Sequence, residues 1–104
     1  MLKPLRKIDT ERVLWRVYWR GRSEAAFNRL AAFYLPWVES LAVAKAYKLP
    51  DHIDFKDLVQ DGSIALLDCI QRYERGRGTT FKTFALRRIQ GAFIDGLRDR
   101  KSVV

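Results

Sequence analysis

The last third of the sequence interleaves basic and aromatic side chains. Residues 72–101 carry nine Lys or Arg together with Tyr73, Phe81, Phe84 and Phe93. Basic groups hold a phosphate backbone, and an exposed aromatic ring gives an unpaired base a surface on which to stack. The spacing predicts that Phe81 and Phe93 are core residues. Phe84 falls at the edge of the apolar stripe, one turn before Arg88, and is therefore predicted to be a base-stacking residue.

A second group of polar residues has the opposite charge. Residues 51–71 carry a net charge of −4, whereas residues 1–50 and residues 72–104 each carry +6. Within this acidic segment, five side chains recur at helical spacing and share one side of a helix, which we call the acidic face. Its members are Asp57, Gln60, Asp61, Ile64 and Asp68. An acidic island between basic blocks indicates two partners of opposite charge, and charge balancing between neighbouring helices is the alternative.

The residue types argue against catalysis. The chain has 1 His and 1 Cys, which disfavours a Ser-His-Asp or Cys-His arrangement, a disulfide framework and a multi-cysteine zinc site. We interpret Cys69 as a packed, inert thiol and His52 as a solvated loop residue. The Asp residues are spread over a loop and three helical turns, so we expect no metal and no cofactor. The protein is predicted not to be an enzyme.

The elements that must position these residues are helices. Helical periodicity dominates the chain, which predicts an all-α fold, a compact bundle of four to five helices without a sheet. The first helix is predicted from Asp9 or Thr10 to Gly21, with a buried stripe at Val13, Leu14 and Val17. The next segment, residues 23–50, contains Pro36, which either kinks one helix or begins another.

The acidic face belongs to the next predicted helix, which begins after an Asp54 N-cap and runs to about Tyr73. Gly62 lies within its predicted buried stripe, where the absence of a side chain allows close packing. The predicted stripe of this helix is Phe55, Val59, Gly62, Leu66, Ile70 and Tyr73.

The last helix is predicted to begin after Thr79 or Thr80 and to end near Arg100. Gly91 and Gly96 inside it each cost about 1 kcal/mol relative to Ala in a free helix. Either a packed neighbouring helix or the backbone of a ligand must therefore favour small residues there. The predicted buried stripe of this helix is Phe81, Ala85, Ile89, Phe93 and Leu97.

Length and composition agree with one globular domain. The chain has 104 residues, of which 48% are hydrophobic and 31% charged, which disfavours a disordered tail or a low-complexity linker. The longest uncharged run, residues 30–38, is far shorter than a membrane span. The first seven residues lack the apolar stretch of a signal peptide, so a reducing, cytoplasmic setting is expected.

Two stretches of the sequence resemble region two of bacterial RNA polymerase sigma factors. The first is DFKDLVQDGSIALLDCIQRYE at residues 54–74, and the second is RGTTFKTFALRRIQGAFIDGLR at residues 77–98. The ending R-I-x-G-A-x-x-D-x-L-R is most similar to the flagellar-type alternative sigma factors. The segment YLPWV at residues 34–38 and Leu49-Pro50 match the upstream helix of the same region. The resemblance covers about residues 25–100.

The resemblance implies two partners, core RNA polymerase and promoter DNA. In the family, the helix matching residues 54–73 docks on the clamp coiled coil of the largest polymerase subunit, which assigns that contact to the acidic face. The following turn and helix recognise and melt the minus-ten element and hold its non-template strand. An anti-sigma factor is a further partner to expect. Combined with the basic pattern, this predicts DNA contacts at Arg77, Thr79, Lys82, Phe84, Arg87, Arg88, Gly91, Ile94 and Arg98.

Two other functions remain open at this stage. The chain could be a double-strand-binding helix-turn-helix regulator that uses helices 54–73 and 80–100, or a decoy that occupies polymerase without opening promoters. Preference for duplex DNA would support the first, and a core-bound complex that never melts DNA would support the second. Regions three and four of the sigma family have no counterpart in residues 1–104, so we expect a single region-two-like domain.

Overall fold

The computed structural model describes residues 6–74, 76 and 78–102, and these residues form helices but no strand. The second and fourth helices both pack against the third, and the first lies on the second. Within the described residues, no helix is both long enough and apolar enough to cross a membrane. The prediction of an all-α bundle is confirmed, with α1 (Lys7–Gly21), α2 (Glu24–Ala46), α3 (Phe55–Arg72) and α4 (Phe81–Ser102).

The helices begin at the predicted capping residues, with one exception. The Ser23 hydroxyl accepts the Ala26 backbone N–H at 3.1 Å at the start of α2. The Asp54 carboxylate accepts the Lys56 N–H at 2.9 Å at the start of α3. Each cap satisfies one backbone donor that the first helical turn leaves without a partner. The prediction was wrong for α1, which begins earlier than expected, at Lys7.

Pro36 lies inside α2, so the segment after Ser23 is one helix and not two. A proline in a helix interior removes one backbone hydrogen bond, yet the surrounding residues Tyr34 and Val38 are completely buried. Their tertiary contacts hold the helix together across the proline. The helix ends at Ala46, earlier than the predicted end near Pro50.

The core is built mainly from α2, α3 and α4. All five residues of the predicted α4 stripe are buried, with exposures between 0% and 8%. The predicted buried stripe of α3 was only partly correct. Phe55 is 39% exposed, whereas Leu58 and Cys69, which were left out of the stripe, are completely buried. Val59 and Tyr73 pack against the core but are only partly buried.

The predicted inward face of α1 was largely wrong, since Leu14 packs against the core but the two valines do not. Val13 and Val17 are 44% and 46% exposed, whereas Trp15 and Tyr18 are 5% and 3% exposed. Large aromatic side chains remove more apolar surface from water than valine does, so the helix turns them inward. The Trp15 indole N–H also donates to the Tyr34 hydroxyl at 2.8 Å, which fixes α1 on α2.

The Tyr34 hydroxyl completes this buried link by donating to the Glu11 carboxylate. Burial and the bond to Glu11 raise the pKa of Tyr34. The hydroxyl therefore stays protonated and remains a donor. Its ring also packs on Phe81, with ring centroids 4.5 Å apart. Helix α1 is thus joined through Tyr34 to the beginning of α4, where the predicted DNA contacts lie.

Candidate nucleic-acid and protein interfaces

All five residues of the acidic face reach the surface of the protein along α3. Gln60 and Asp68 are exposed, and Asp57 and Asp61 are partly buried. Ile64, the apolar member of the face, is 62% exposed. The structure therefore brings together all five predicted residues on one helix surface, with an apolar centre and a polar rim.

Asp68 of the acidic face pairs with an arginine of the same helix. The Arg72 guanidinium donates its Nε–H to both carboxylate oxygens of Asp68, at 2.8 and 2.9 Å. Both side chains are largely exposed, so this pair contributes little to stability. Its main effect is to offset the negative charge at the carboxyl end of the face.

Sequence reasoning missed one residue of this surface. Leu67 is 39% exposed and follows Ile64 by three residues, so the two side chains are neighbours on the helix surface. Together they form an exposed apolar pair beside the acidic residues. The spacing of Leu67 from Ile64 is visible in the sequence. However, Leu67 could equally belong to the inward stripe of α3, and only the packing of the helix decides between the two positions.

The turn between α3 and α4 is fixed by local hydrogen bonds. The Tyr73 hydroxyl donates to the Thr79 backbone carbonyl at 2.5 Å. The Thr80 hydroxyl accepts the Thr83 backbone N–H at 3.2 Å, which confirms Thr80 as a capping residue of α4. Gly76 and Gly78 have φ values of +81° and +82°, a conformation that residues with a side chain rarely adopt. The predicted contact Arg77 lies outside the described residues.

Phe84 lies at the margin of the core, as its spacing predicted. It is partly buried, and its ring centroid is 5.6 Å from that of Tyr73. The Arg88 guanidinium carbon lies 4.9 Å from the centre of the Phe84 ring, within the range of a cation–π contact. Arg88 therefore covers one side of the ring. An unpaired base at this position would contact the ring and the guanidinium together.

Most of the predicted DNA contacts share the outward side of α4. Successive residues of a helix are rotated by about 100°, so positions three, four and seven residues apart lie on one side. Ile94 is 51% exposed there, and Arg98 is exposed but paired with Asp95 at 2.8 Å. Arg87 is exposed and has no ion pair among the residues that the structure describes. This surface comprises Phe84, Arg87, Arg88, Gly91, Ile94 and Arg98.

Lys82 does not belong to that surface. It precedes Phe84 by two residues, which places it roughly 200° away around the helix. Its ammonium nitrogen lies 5.4 Å from the centre of the Trp37 ring of α2. The structure therefore separates Lys82 from the other predicted contacts and directs it toward α2.

The space around Gly91 tests one of the two explanations for a small residue there. A Cβ added at Gly91 would have no neighbour within 4 Å. A packed neighbouring helix is therefore not what favours glycine at this position. The alternative, a ligand backbone that approaches Gly91 closely, stays a prediction.

Cys69 has the character of a core residue. It is completely buried, and burial raises the pKa of its thiol to about 11. A thiol that stays protonated at neutral pH is a poor nucleophile and a poor metal ligand. This agrees with its interpretation as a packed, inert residue.

Comparison with known proteins gives a consistent relationship. Residues 30–103 match the sequence family described as Sigma-70 region 2. The chain is 42% identical over 73 residues to the RNA polymerase sigma factor FliA of Yersinia enterocolitica, which covers 70% of this chain and 32% of the relative. It is 42% identical over 67 residues to FliA of Escherichia coli K12, which covers 64% of this chain and 28% of the relative.

A further relative matches more of the chain. The RNA polymerase sigma-D factor of Bacillus subtilis is 32% identical over 88 residues, which covers 85% of this chain and 35% of the relative. The chain thus spans about a third of the length of the curated relatives that it matches.

Proposed function

The chain belongs to the Sigma-70 region 2 family, and from this we propose that it is a non-catalytic transcription initiation domain that binds core RNA polymerase and opens promoter DNA at the minus-ten element. The observation that carries this proposal is the separation of two charged surfaces on adjacent helices. The acidic face lies on α3 and the basic, partly aromatic surface lies on α4. A domain built this way can hold a basic protein partner and a polyanion at the same time.

The acidic face is the proposed polymerase contact, and its expected partner is the clamp coiled coil of the largest subunit. Charge complementarity across an interface speeds association and fixes its orientation. The exposed Ile64, beside Leu67, supplies an apolar centre, and the buried core of a protein interface is more apolar than its rim. Both the charge of the acidic face and its exposed apolar side chains therefore support the proposed polymerase contact.

We expect that replacing Gln60 and Asp61 with Lys weakens binding to core polymerase at least tenfold, because both changes place positive charge against a basic partner. Binding is measured by surface plasmon resonance with immobilised core polymerase, and helicity by circular dichroism. A matched control replaces Asn28 and Glu39, both exposed on α2, with Lys. The control changes the net charge equally but is expected to bind normally. Equal binding by both double variants would remove the acidic face from the interface.

The outward side of α4 is the proposed DNA contact. Unpaired bases stack on aromatic side chains, and Arg contributes to the same contact. The Phe84–Arg88 pair offers this combination, with the exposed Arg87 beside it. The proposed ligand of this surface is therefore the melted non-template strand of the minus-ten element.

The salt dependence of DNA binding tests this assignment. Replacing both Arg87 and Arg88 with Gln removes two phosphate contacts, so the slope of log affinity against log salt should fall by about 1.4 for a single strand. Fluorescence anisotropy with labelled single-stranded and duplex minus-ten oligonucleotides measures both slopes. Tighter binding of the protein to the duplex than to the single strand would instead favour the function of a helix-turn-helix regulator. Polymerase binding without promoter melting would favour the decoy.

A further inference from the structure

The outward side of α1 is both basic and apolar, and the functions assigned above do not use it. Val13 and Val17 are each nearly half exposed, and Arg16 and Arg20 are exposed beside them. Positions three and four residues apart are neighbours on a helix surface, so these four side chains form one group, which we call the α1 patch. Neither arginine has an ion pair among the residues that the structure describes. The α1 patch therefore offers an apolar pair and two positive charges to a partner.

The acidic face of α3 has the complementary composition. Its exposed Ile64 and the neighbouring Leu67 form an apolar pair, as the two valines do on α1. Its charged members are carboxylates, whereas those of the α1 patch are guanidinium groups. Opposite charges that meet across an interface orient the partners and disfavour wrong pairings. The two surfaces thus match in both their apolar and their charged groups.

The α1 patch and the acidic face do not cover each other within one chain. In the part of the chain that the structure describes, α1 packs on α2 and not on α3. The valines of the patch and Ile64 accordingly stay exposed. A second copy of the protein carries an α1 patch that is able to reach the acidic face from outside. The chain itself is therefore a partner of the required chemistry.

We propose that the protein self-associates, with the α1 patch of one copy packed on the acidic face of a second copy. The valines of α1 lie against the Ile64–Leu67 pair, and the arginines lie against the carboxylates of α3. A twofold arrangement forms this contact twice, whereas a single contact leaves one surface of each kind open to a further copy. Stable complexes bury at least about 1,200 Å² in total. A contact between a few side chains of two helices is smaller, so the association is weak and is favoured by high protein concentration.

Self-association uses the surface that is also proposed to bind polymerase. Copies held together through the acidic face cannot bind core polymerase with that face, so abundant free protein would limit its own access to polymerase. This consequence rests on the proposed function, whereas the self-association does not. Substitutions in the acidic face should therefore weaken both contacts, and substitutions in the α1 patch should weaken self-association alone.

Charge reversal followed by recombination tests the pairing in the 104-residue protein. Arg16→Glu with Arg20→Glu reverses the α1 patch, and Gln60→Lys with Asp61→Lys reverses the acidic face. Sedimentation velocity from micromolar to millimolar concentration should show association of the wild type that weakens at high salt. Either variant alone should associate at least about tenfold more weakly. An equimolar mixture of the two variants should associate again, because each reversed surface then meets a complementary one.

A matched control removes general charge effects. Both variants keep a net positive charge, since the wild-type value is +8 and neither double substitution changes it by more than 4. Attraction between oppositely charged proteins therefore does not explain recovery in the mixture. Arg29→Glu with Lys48→Glu changes the charge as much as the α1 variant does, at exposed positions on α2 and in the turn after it. This control should associate as the wild type does, and circular dichroism verifies the fold of every variant.

A wild type that stays monomeric at millimolar concentration and low salt would overturn the proposal. The same holds for an α1 variant that associates like the wild type, a result that decides the matter even if the α3 variant fails to fold. A mixture of folded variants that stays monomeric would overturn the pairing of the two surfaces. Loss of self-association in the α3 variant together with unchanged polymerase binding would overturn the proposed polymerase contact and support the self-association.

Nuclear magnetic resonance locates the contact. Backbone amide chemical shifts recorded during dilution are expected to change along residues 13–20 of α1 and residues 57–68 of α3. Val43, Tyr47 and Phe55 form another group of exposed apolar side chains, between the end of α2 and the beginning of α3. Changes centred on that group would place the contact there and overturn the pairing of α1 with α3.

Discussion

Phe81→Ala is expected to lower the free energy of unfolding by about 3–5 kcal/mol, the usual cost of removing a buried phenylalanine ring. Phe81 is 2% exposed. Its ring centroid lies 4.5 Å from that of Tyr34 and 5.1 Å from that of Trp15, so its removal opens a cavity between α1, α2 and α4. Urea denaturation followed by circular dichroism measures the effect. The matched substitution is Phe84→Ala, one turn away on the same helix.

Phe84→Ala is expected to cost only about 1–2 kcal/mol, because the ring is partly exposed and loses less buried surface. It should nevertheless reduce promoter opening by core polymerase, which permanganate footprinting of unpaired thymines detects. Phe81→Ala should instead reduce promoter opening only because it destabilises the fold. Conditions that stabilise the fold should therefore restore promoter opening by this variant. If Phe84→Ala unfolds the domain as readily as Phe81→Ala, then Phe84 is a core residue and the melting role belongs to another side chain.

The inward side of α4 could be predicted from sequence because five apolar residues recur at intervals of four, from Phe81 to Leu97, and so lie along one side of the helix. Periodicity alone then determines which side is buried. The same reasoning explains why the Phe84–Arg88 contact was foreseeable, since residues four apart are neighbours on a helix. It also shows why Lys82 lies apart from the other predicted DNA contacts on α4. Its basic character was considered, but its angular position was not.

The orientation of α1 could not be predicted in this way. Between Val13 and Trp19 apolar residues occur almost all around the helix, so the pattern allows several inward sides. The choice depends on Tyr34 and Phe81, which are distant in sequence and accept the Trp15 ring. A cleft of about 500 Å³ lined by Trp15, Trp19, Tyr73 and Phe81 escaped prediction for the same reason. It is formed by α1 and the turn before α4, and only the tertiary fold brings them together.

The acidic face is an intermediate case. Its residues are close in sequence on one helix, so their common orientation followed from helical geometry. Its apolar neighbour Leu67 was missed, because the same residue could equally extend the inward stripe. Burial of Leu58 and Cys69 on the inner side of α3 rotates the helix enough to bring Leu67 toward the surface.

Gly62→Ala is expected to lower the free energy of unfolding by about 1–3 kcal/mol, the usual cost of overpacking a core. A Cβ at position 62 would lie 2.7 Å from Cε1 of Phe93 and 2.9 Å from Cγ1 of Val38. Those two side chains belong to α4 and α2 and are themselves buried, at 1% and 0% exposure, so neither can move aside easily. Helix α3 would have to withdraw from both neighbours, and thermal unfolding would report the loss.

Gly91→Ala is the matched control for this substitution and separates packing from helix propensity. The added methyl group has no neighbour within 4 Å, so only the higher helix propensity of alanine acts, and the domain should gain about 0.5–1 kcal/mol. If a DNA backbone passes close to Gly91, the same variant should bind the minus-ten strand more weakly despite its greater stability. A stabilised variant with unchanged DNA affinity would remove Gly91 from the DNA surface. A Gly62→Ala protein as stable as the wild type would show that Phe93 can repack, and that the close approach of α3 is not what glycine provides at position 62.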